Sequence, residues 1–105
     1  MKSILIAYLL ANGVSTFQLV VYNEIHAELA EDCALEVEKT ESIDGEACRR
    51  YFDFRGSSDD LRAINQQSLP HAELTQAQRE EALYFIERGN RAMRYIVHNA
   101  KDLHQ

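Results

Sequence analysis

The chain is poor in the residues on which cofactor sites depend. Its 105 residues include four glycines, two cysteines and one proline, Pro70. It has no Gly-x-Gly-x-x-Gly, P-loop or Gly-x-Ser-x-Gly motif, and four glycines leave little for a loop that cradles phosphate. These absences argue against an enzyme, so we expect no catalytic residue and no cofactor.

The spacing of the histidines also disfavours a metal site. The four are scattered along the chain: His26, His71, His98 and His104. His26 and Cys33 fall on roughly one face of a predicted helix, but no Cys-x-x-Cys or His-x-x-x-His pair accompanies them. We therefore expect no metal ligand.

The chain contains no internal repeat and no low-complexity segment, and its length suits one domain. We predict a single domain over residues 1–105. Within it, a sheet unit covers residues 1–55 and a helical part covers residues 56–105.

The apolar stretch over residues 4–22 contains Asn12-Gly13 between two apolar runs. This dipeptide favours a type I′ turn and predicts a β-hairpin. Two alternatives stay open. The stretch has the length of a transmembrane helix, although polar residues and a glycine interrupt it. Residues 1–13 also resemble a short signal peptide, with Lys2, an apolar run and a cut near Gly13.

After the hairpin, Asn23 can cap a helix from about Glu24 to Lys39. Apolar and acidic side chains separate onto opposite faces over this range. Alternation in residues 47–54 predicts a third strand. The predicted fold class is therefore α+β: a β-hairpin, a helix and a third strand (ββαβ), followed by a short and a long C-terminal helix.

The C-terminal part begins with a short predicted helix that ends near Asn65, and a linker over residues 66–72 follows. Thr75-Gln76-Ala77-Gln78 is a capping-box pattern that starts the long helix. Gly89 lies inside that helix, where glycine is unfavourable, so it marks a kink, a break or a close contact.

The two cysteines, Cys33 and Cys48, lie on the predicted helix and the predicted third strand. A disulfide between them would close a loop of about 15 residues and stabilise the fold by roughly 3 kcal/mol. The alternative is a pair of buried thiols, the usual state in cytosol.

The net charge is −6 and is concentrated in the first half of the chain. Residues 1–48 hold two bases and nine acids, whereas residues 49–105 hold nine bases and eight acids. The acidic half disfavours direct nucleic-acid binding, which needs cations to neutralise phosphates. It suits docking onto a protein with a basic surface.

Three clusters of charged side chains are candidate contact surfaces. The first is the acidic face of the predicted helix: Glu24, Glu28, Glu31, Asp32 and Glu38. The second combines arginines with interleaved aromatic residues, a composition typical of interfaces: Arg49, Arg50, Tyr51, Phe54 and Arg55. The third is an arginine cluster near the C-terminus: Arg88, Arg91 and Arg94.

The sequence thus favours a small acidic protein-interaction module. Its size, acidity and lack of a site motif give it a general likeness to phage-encoded proteins. The working hypothesis is a phage or mobile-element inhibitor of a host machine, of the anti-defence (anti-CRISPR) type. It would be cytoplasmic, not bound to membrane, and able to form a homodimer through the C-terminal helices.

Two other functions stay open. One is a periplasmic or secreted disulfide-containing domain, if residues 1–13 are a cleaved signal. The other is a small nucleotide- or anion-binding protein that uses the C-terminal arginines.

Overall fold

A computed structural model describes residues 16–59 and 74–103. This part of the chain forms three α-helices and no strand: α1 (Thr16–Thr40), α2 (Glu46–Ser57) and α3 (Gln76–Asn99). A short 3-10 helix, Lys101–Leu103, follows α3. The predicted α+β class is wrong, because the described chain is helical.

The second strand of the predicted hairpin is helical from Thr16 onward, while the Asn12-Gly13 turn and the first strand lie outside the described residues. A short apolar run does not distinguish a strand from a buried helical segment. Here the run continues directly into the amphipathic segment that follows, and the two form one 25-residue helix. Asn23, predicted to cap a helix, is a buried residue in the interior of α1.

The predicted third strand is α2, a helix of 12 residues. Cys48 and Tyr51, three residues apart, are both buried, as on one face of a helix. Gly45 at the N-cap has no side chain to cap the helix. Instead, the Glu36 carboxylate of α1 accepts hydrogen bonds from the backbone N–H groups of Ala47 and Cys48, both at 3.1 Å. This cap comes from another helix, so local sequence patterns do not reveal it.

The helices α1 and α2 run antiparallel. The sulfur atoms of Cys33 and Cys48 lie 2.11 Å apart and join the two helices. Towards the start of α1, the ring of His26 packs on the ring of Tyr51, with centroids 5.4 Å apart. The core lies between the three helices: Ala30, Cys33, Val37, Cys48, Tyr51, Ala92, Ile96 and Ala100.

The helices α1 and α3 run parallel. The capping box predicted at the start of α3 is confirmed, with Thr75 Oγ1 accepting from the Gln78 N–H at 3.1 Å. At the far ends, the Lys101 N–H donates to the Glu41 carbonyl at 2.8 Å. Residues of α1 therefore lie level with residues of α3 about 60 positions later in the chain, the same separation as the bonded pair Ser42 and Asp102.

The ends of α1 and α3 are tied together by Asp102. Its carboxylate accepts from the Ser42 hydroxyl at 2.7 Å and from the Ile43 N–H at 3.0 Å. The hydrogen bond from Ser42, supported by the Ile43 amide, holds the pKa of Asp102 below its ordinary value. This contact fixes the turn between α1 and α2 against the end of α3.

The helix α3 continues through Gly89 without a break. Gly89 is a point of close contact, because a Cβ atom there would lie 2.6 Å from Nδ1 of His26.

As for the membrane-spanning alternative, none of the helices in residues 16–59 and 74–103 has the length and apolar character needed to cross a bilayer.

Candidate interaction surfaces

The exposed side of α1 carries an apolar side chain among carboxylates. We call this surface the α1 flank: Glu24, Ile25, Glu28 and Asp32. Its acids are spaced four residues apart, so they and Ile25 share an arc of about 100° on the helix. Ile25 is 40% exposed, and Glu28 and Asp32 are also exposed.

The predicted acidic face is divided by the structure into two parts. Arg88 of α3 binds both carboxylate oxygens of Glu31, with Nε 3.0 Å from Oε2. This hydrogen bonding lowers the pKa of Glu31 and raises that of Arg88. In contrast, the ion pairs formed within the described residues leave out Glu24, Glu28 and Asp32.

The unpaired acids repel one another along the helix. Glu24 and Glu28 are four residues apart, as are Glu28 and Asp32, and each such like-charge pair destabilises a helix by roughly 0.2–0.5 kcal/mol. Cations from outside the chain would relieve this repulsion. The α1 flank therefore carries negative charge that no ion pair within the described residues neutralises.

A second surface lies between α1 and α3. We call it the α1–α3 groove; its volume is about 430 Å³ and it is lined by Glu31, Ala34, Leu35, Glu38, Arg88, Arg91, Ala92 and Tyr95. Leu35 is 57% exposed and Tyr95 is 39% exposed. The alanines form a shallow floor, and the two larger apolar side chains stand on either side of it.

The predicted arginine–aromatic surface of residues 49–55 does not form one patch. Tyr51 is fully buried, because the helical period turns it towards the core with Cys48. Arg49 and Arg50 are exposed and pair with acids of their own segment. Arg55 is half-buried and donates to the Tyr51 hydroxyl at 3.4 Å.

The C-terminal arginines also diverge. Arg88 is held by Glu31, and Arg91 lines the groove with Glu87 3.8 Å away. Arg94 follows Arg88 by six residues, so it points about 120° away around the helix. The structure therefore does not gather the three cations around a common anion.

No group of three or more His, Cys, Asp or Glu side chains is placed to hold a metal ion within the described ranges. The two candidate ligands singled out by spacing are both engaged elsewhere. Cys33 is joined to Cys48, and Nε2 of His26 lies 3.2 Å from the Tyr51 hydroxyl.

Comparison with known protein families, curated proteins and solved structures finds no match for this chain.

Sequence reasoning identified the acids of the flank but did not predict the groove. The sequence indicates the groove only through Leu35, an apolar residue that falls among the acids of α1. The opposite wall, with Tyr95, becomes apparent only when α1 and α3 are known to run parallel.

Proposed function

We propose that this chain is a protein-interaction module whose α1 flank docks on a basic surface of a partner protein. One observation carries the proposal: the exposed Ile25 lies beside a row of carboxylates that have no cationic partner within the described residues. Protein interfaces combine apolar contacts with polar and charged contacts at their rim.

The two parts of the flank would contribute differently. The carboxylates attract a basic surface over a distance of about 8–10 Å at ordinary ionic strength and so accelerate association. Ile25 loses contact with water when the partner docks, which slows dissociation. The association rate should therefore decrease with salt.

The partner class that fits is a host protein whose basic site handles nucleic acid. The acids of the flank form a row of negative charge with a step of about 6 Å along the helix. Such a row competes with a phosphate backbone for lysine and arginine side chains. An inhibitor from a phage or mobile element would act in this way.

The test is quantitative capture of proteins from nuclease-treated host lysate by three forms of the tagged chain: wild type, Glu28→Lys/Asp32→Lys, and Glu80→Lys/Glu81→Lys. The last pair lies exposed near the start of α3 and gives the same net charge. Circular dichroism checks that all three are folded.

We expect a stoichiometric partner that the wild type and the α3 variant retain and that the flank variant loses by at least tenfold, since each lost charged contact weakens binding by roughly 1–3 kcal/mol. Equal capture by all three forms, or no stoichiometric partner, would contradict the proposal.

A second candidate function is favoured by the cysteine pair. The Cys33 and Cys48 sulfur atoms are at bonding distance, and disulfides persist in oxidising compartments such as the periplasm. The described part of α1 begins at Thr16, beyond the cut near Gly13, so cleavage there would remove none of the described residues.

Intact mass of the natively expressed protein tests this second candidate. Loss of residues 1–13 together with a mass about 2 Da below that of the reduced form supports it, since a disulfide lacks two hydrogens. Retention of these residues with two free thiols contradicts it.

A further inference from the structure

The α1–α3 groove has a regular arrangement of apolar groups. Leu35 and Tyr95 line its opposite sides, and the separation of 60 positions that relates Ser42 to Asp102 also relates Leu35 to Tyr95. Because α1 and α3 are parallel, these two exposed side chains stand at the same level of the groove.

The two walls of the groove also differ in charge. The α1 wall contributes the carboxylates Glu31 and Glu38, and the α3 wall contributes the guanidinium groups of Arg88 and Arg91. Glu31 and Arg88 bind each other, so Glu38 and Arg91 are the charges that remain for a second copy. A surface with one acidic and one basic wall is complementary to a copy of itself in which the walls are exchanged.

We propose that the groove is a homodimer interface, with a second copy of the chain related by a two-fold axis parallel to α1 and α3. Rotation about this axis keeps every residue at its level and exchanges the two helices. The acidic α1 then faces the basic α3 of the second copy. Leu35 meets Tyr95 of the second copy, and this contact occurs twice.

The alternative two-fold axis, perpendicular to the helices, is disfavoured by the same charges. It places α1 against α1 and α3 against α3, so carboxylates oppose carboxylates and guanidinium groups oppose guanidinium groups. Like-charge juxtaposition in an interface is strongly unfavourable. The C-terminal helix therefore pairs with α1 of the second copy and not with itself.

This dimer is independent of the proposed function. The groove and the α1 flank share no residue, so a dimer carries two flanks. Failure of either proposal leaves the other untouched, because the dimer is tested without a partner and the flank is tested with groove residues unchanged.

The first test is sedimentation equilibrium of the disulfide-intact chain, comparing wild type, Leu35→Lys and Leu83→Lys. Leu83 is the matched control because it is 53% exposed on α3 and does not line the groove. Far-UV circular dichroism confirms that each variant is helical, which is expected since both leucines are exposed.

We expect the wild type and Leu83→Lys to dimerise reversibly at chain concentrations of about 100 μM or below. Leu35→Lys should raise the dimer dissociation constant by about 100-fold or more, because the change occurs twice in a two-fold interface. A monomeric wild type at this concentration, or a dimer that Leu35→Lys leaves unchanged, would overturn the proposal.

The second test concerns the orientation of the two copies. Arg91→Glu places a negative charge opposite the acidic α1 of the second copy and should weaken the dimer by about tenfold. Arg94→Glu makes the same charge change outside the groove and should leave the dimer unchanged. A dimer that Arg91→Glu strengthens would show that α3 meets α3, and the parallel arrangement would be wrong.

Discussion

Replacing Gly89 by alanine should destabilise the protein, although the same change stabilises most helices. In an exposed helix interior, alanine is favoured over glycine by about 1 kcal/mol. At Gly89, however, the new Cβ would lie 2.6 Å from Nδ1 and 3.1 Å from Cε1 of His26. The helix preference and the steric overlap therefore act in opposite directions.

The overlap is the larger effect because the His26 ring has little room to move. Its Nε2 lies 3.2 Å from the Tyr51 hydroxyl, and its ring is stacked on Tyr22 with an interplanar angle of 24°. Overpacking of this kind costs about 1–3 kcal/mol. After subtracting the helix preference, we expect Gly89→Ala to lower the free energy of unfolding by about 1 kcal/mol.

The matched control is Gly56→Ala in α2. A Cβ at Gly56 meets no atom within 4 Å, so only the helix preference acts, and the variant should gain up to about 1 kcal/mol. Urea unfolding followed by circular dichroism measures both variants. In thermal unfolding, the melting temperatures of the two variants should differ by about 10 °C.

A double-mutant cycle identifies the cause. With His26→Ala in the background, the overlap is removed, and Gly89→Ala should no longer destabilise. If Gly89→Ala stabilises the wild type as much as Gly56→Ala does, the close approach of α1 and α3 at this level is wrong.

Three further predictions concern the other contacts between the helices. Glu36→Ala should lower the free energy of unfolding by about 1 kcal/mol because α2 loses the acceptor at its N-terminus. Glu38→Ala is the control and should have little effect. Urea unfolding compares the two variants, and an equal loss of stability in both would contradict the capping role of Glu36. Reducing the Cys33–Cys48 pair should lower the free energy of unfolding by about 3 kcal/mol, as expected for a 15-residue loop. A urea midpoint that reductant leaves unchanged would contradict this stabilising role of the pair. Because the pKa of Asp102 is lowered in the folded protein, its contribution to the free energy of unfolding is present above its ordinary pKa and is lost as pH falls below about 4. Asp102→Asn should therefore flatten the acid end of the curve of stability against pH. An unchanged acid end would show that the contact with Ser42 and Ile43 does not stabilise the fold.

The parts of the fold that the sequence predicts well are those with local causes. The amphipathic segment over residues 24–39 is helical because its apolar residues recur with the period of a helix. The start of α3 was also found, since Thr75 and Gln78 satisfy the helix end within four residues. Both features depend on neighbours in sequence.

The two segments wrongly predicted as strands owe their helical structure to residues outside the short pattern of each segment. Residues 47–54 alternate as a strand would, but Glu36 of another helix caps this segment as α2, and the Cys33–Cys48 pair holds it against α1. Residues 16–22 are mostly apolar and show no clear helical or strand period, so their continuity with the next segment determines their structure. Tertiary contacts thus overrode the strand preference of residues 47–54, and continuity with the following helix overrode that of residues 16–22.

The candidate surfaces were predictable to the same degree. The carboxylates of the α1 flank are visible in the sequence because they share one helical face. That Glu31 is taken by Arg88, 57 positions away, and that Leu35 stands level with Tyr95, follow only from the parallel packing of α1 and α3.

Zero-length cross-linking of the captured complex shows whether the α1 flank itself contacts the basic partner. A carbodiimide couples a carboxylate to an amine only when the two are in contact, and peptide mass spectrometry then identifies the acid. We expect partner lysines to be joined to Glu24, Glu28 or Asp32. Cross-links confined to acids of α3, such as Glu80 and Glu81, would contradict it.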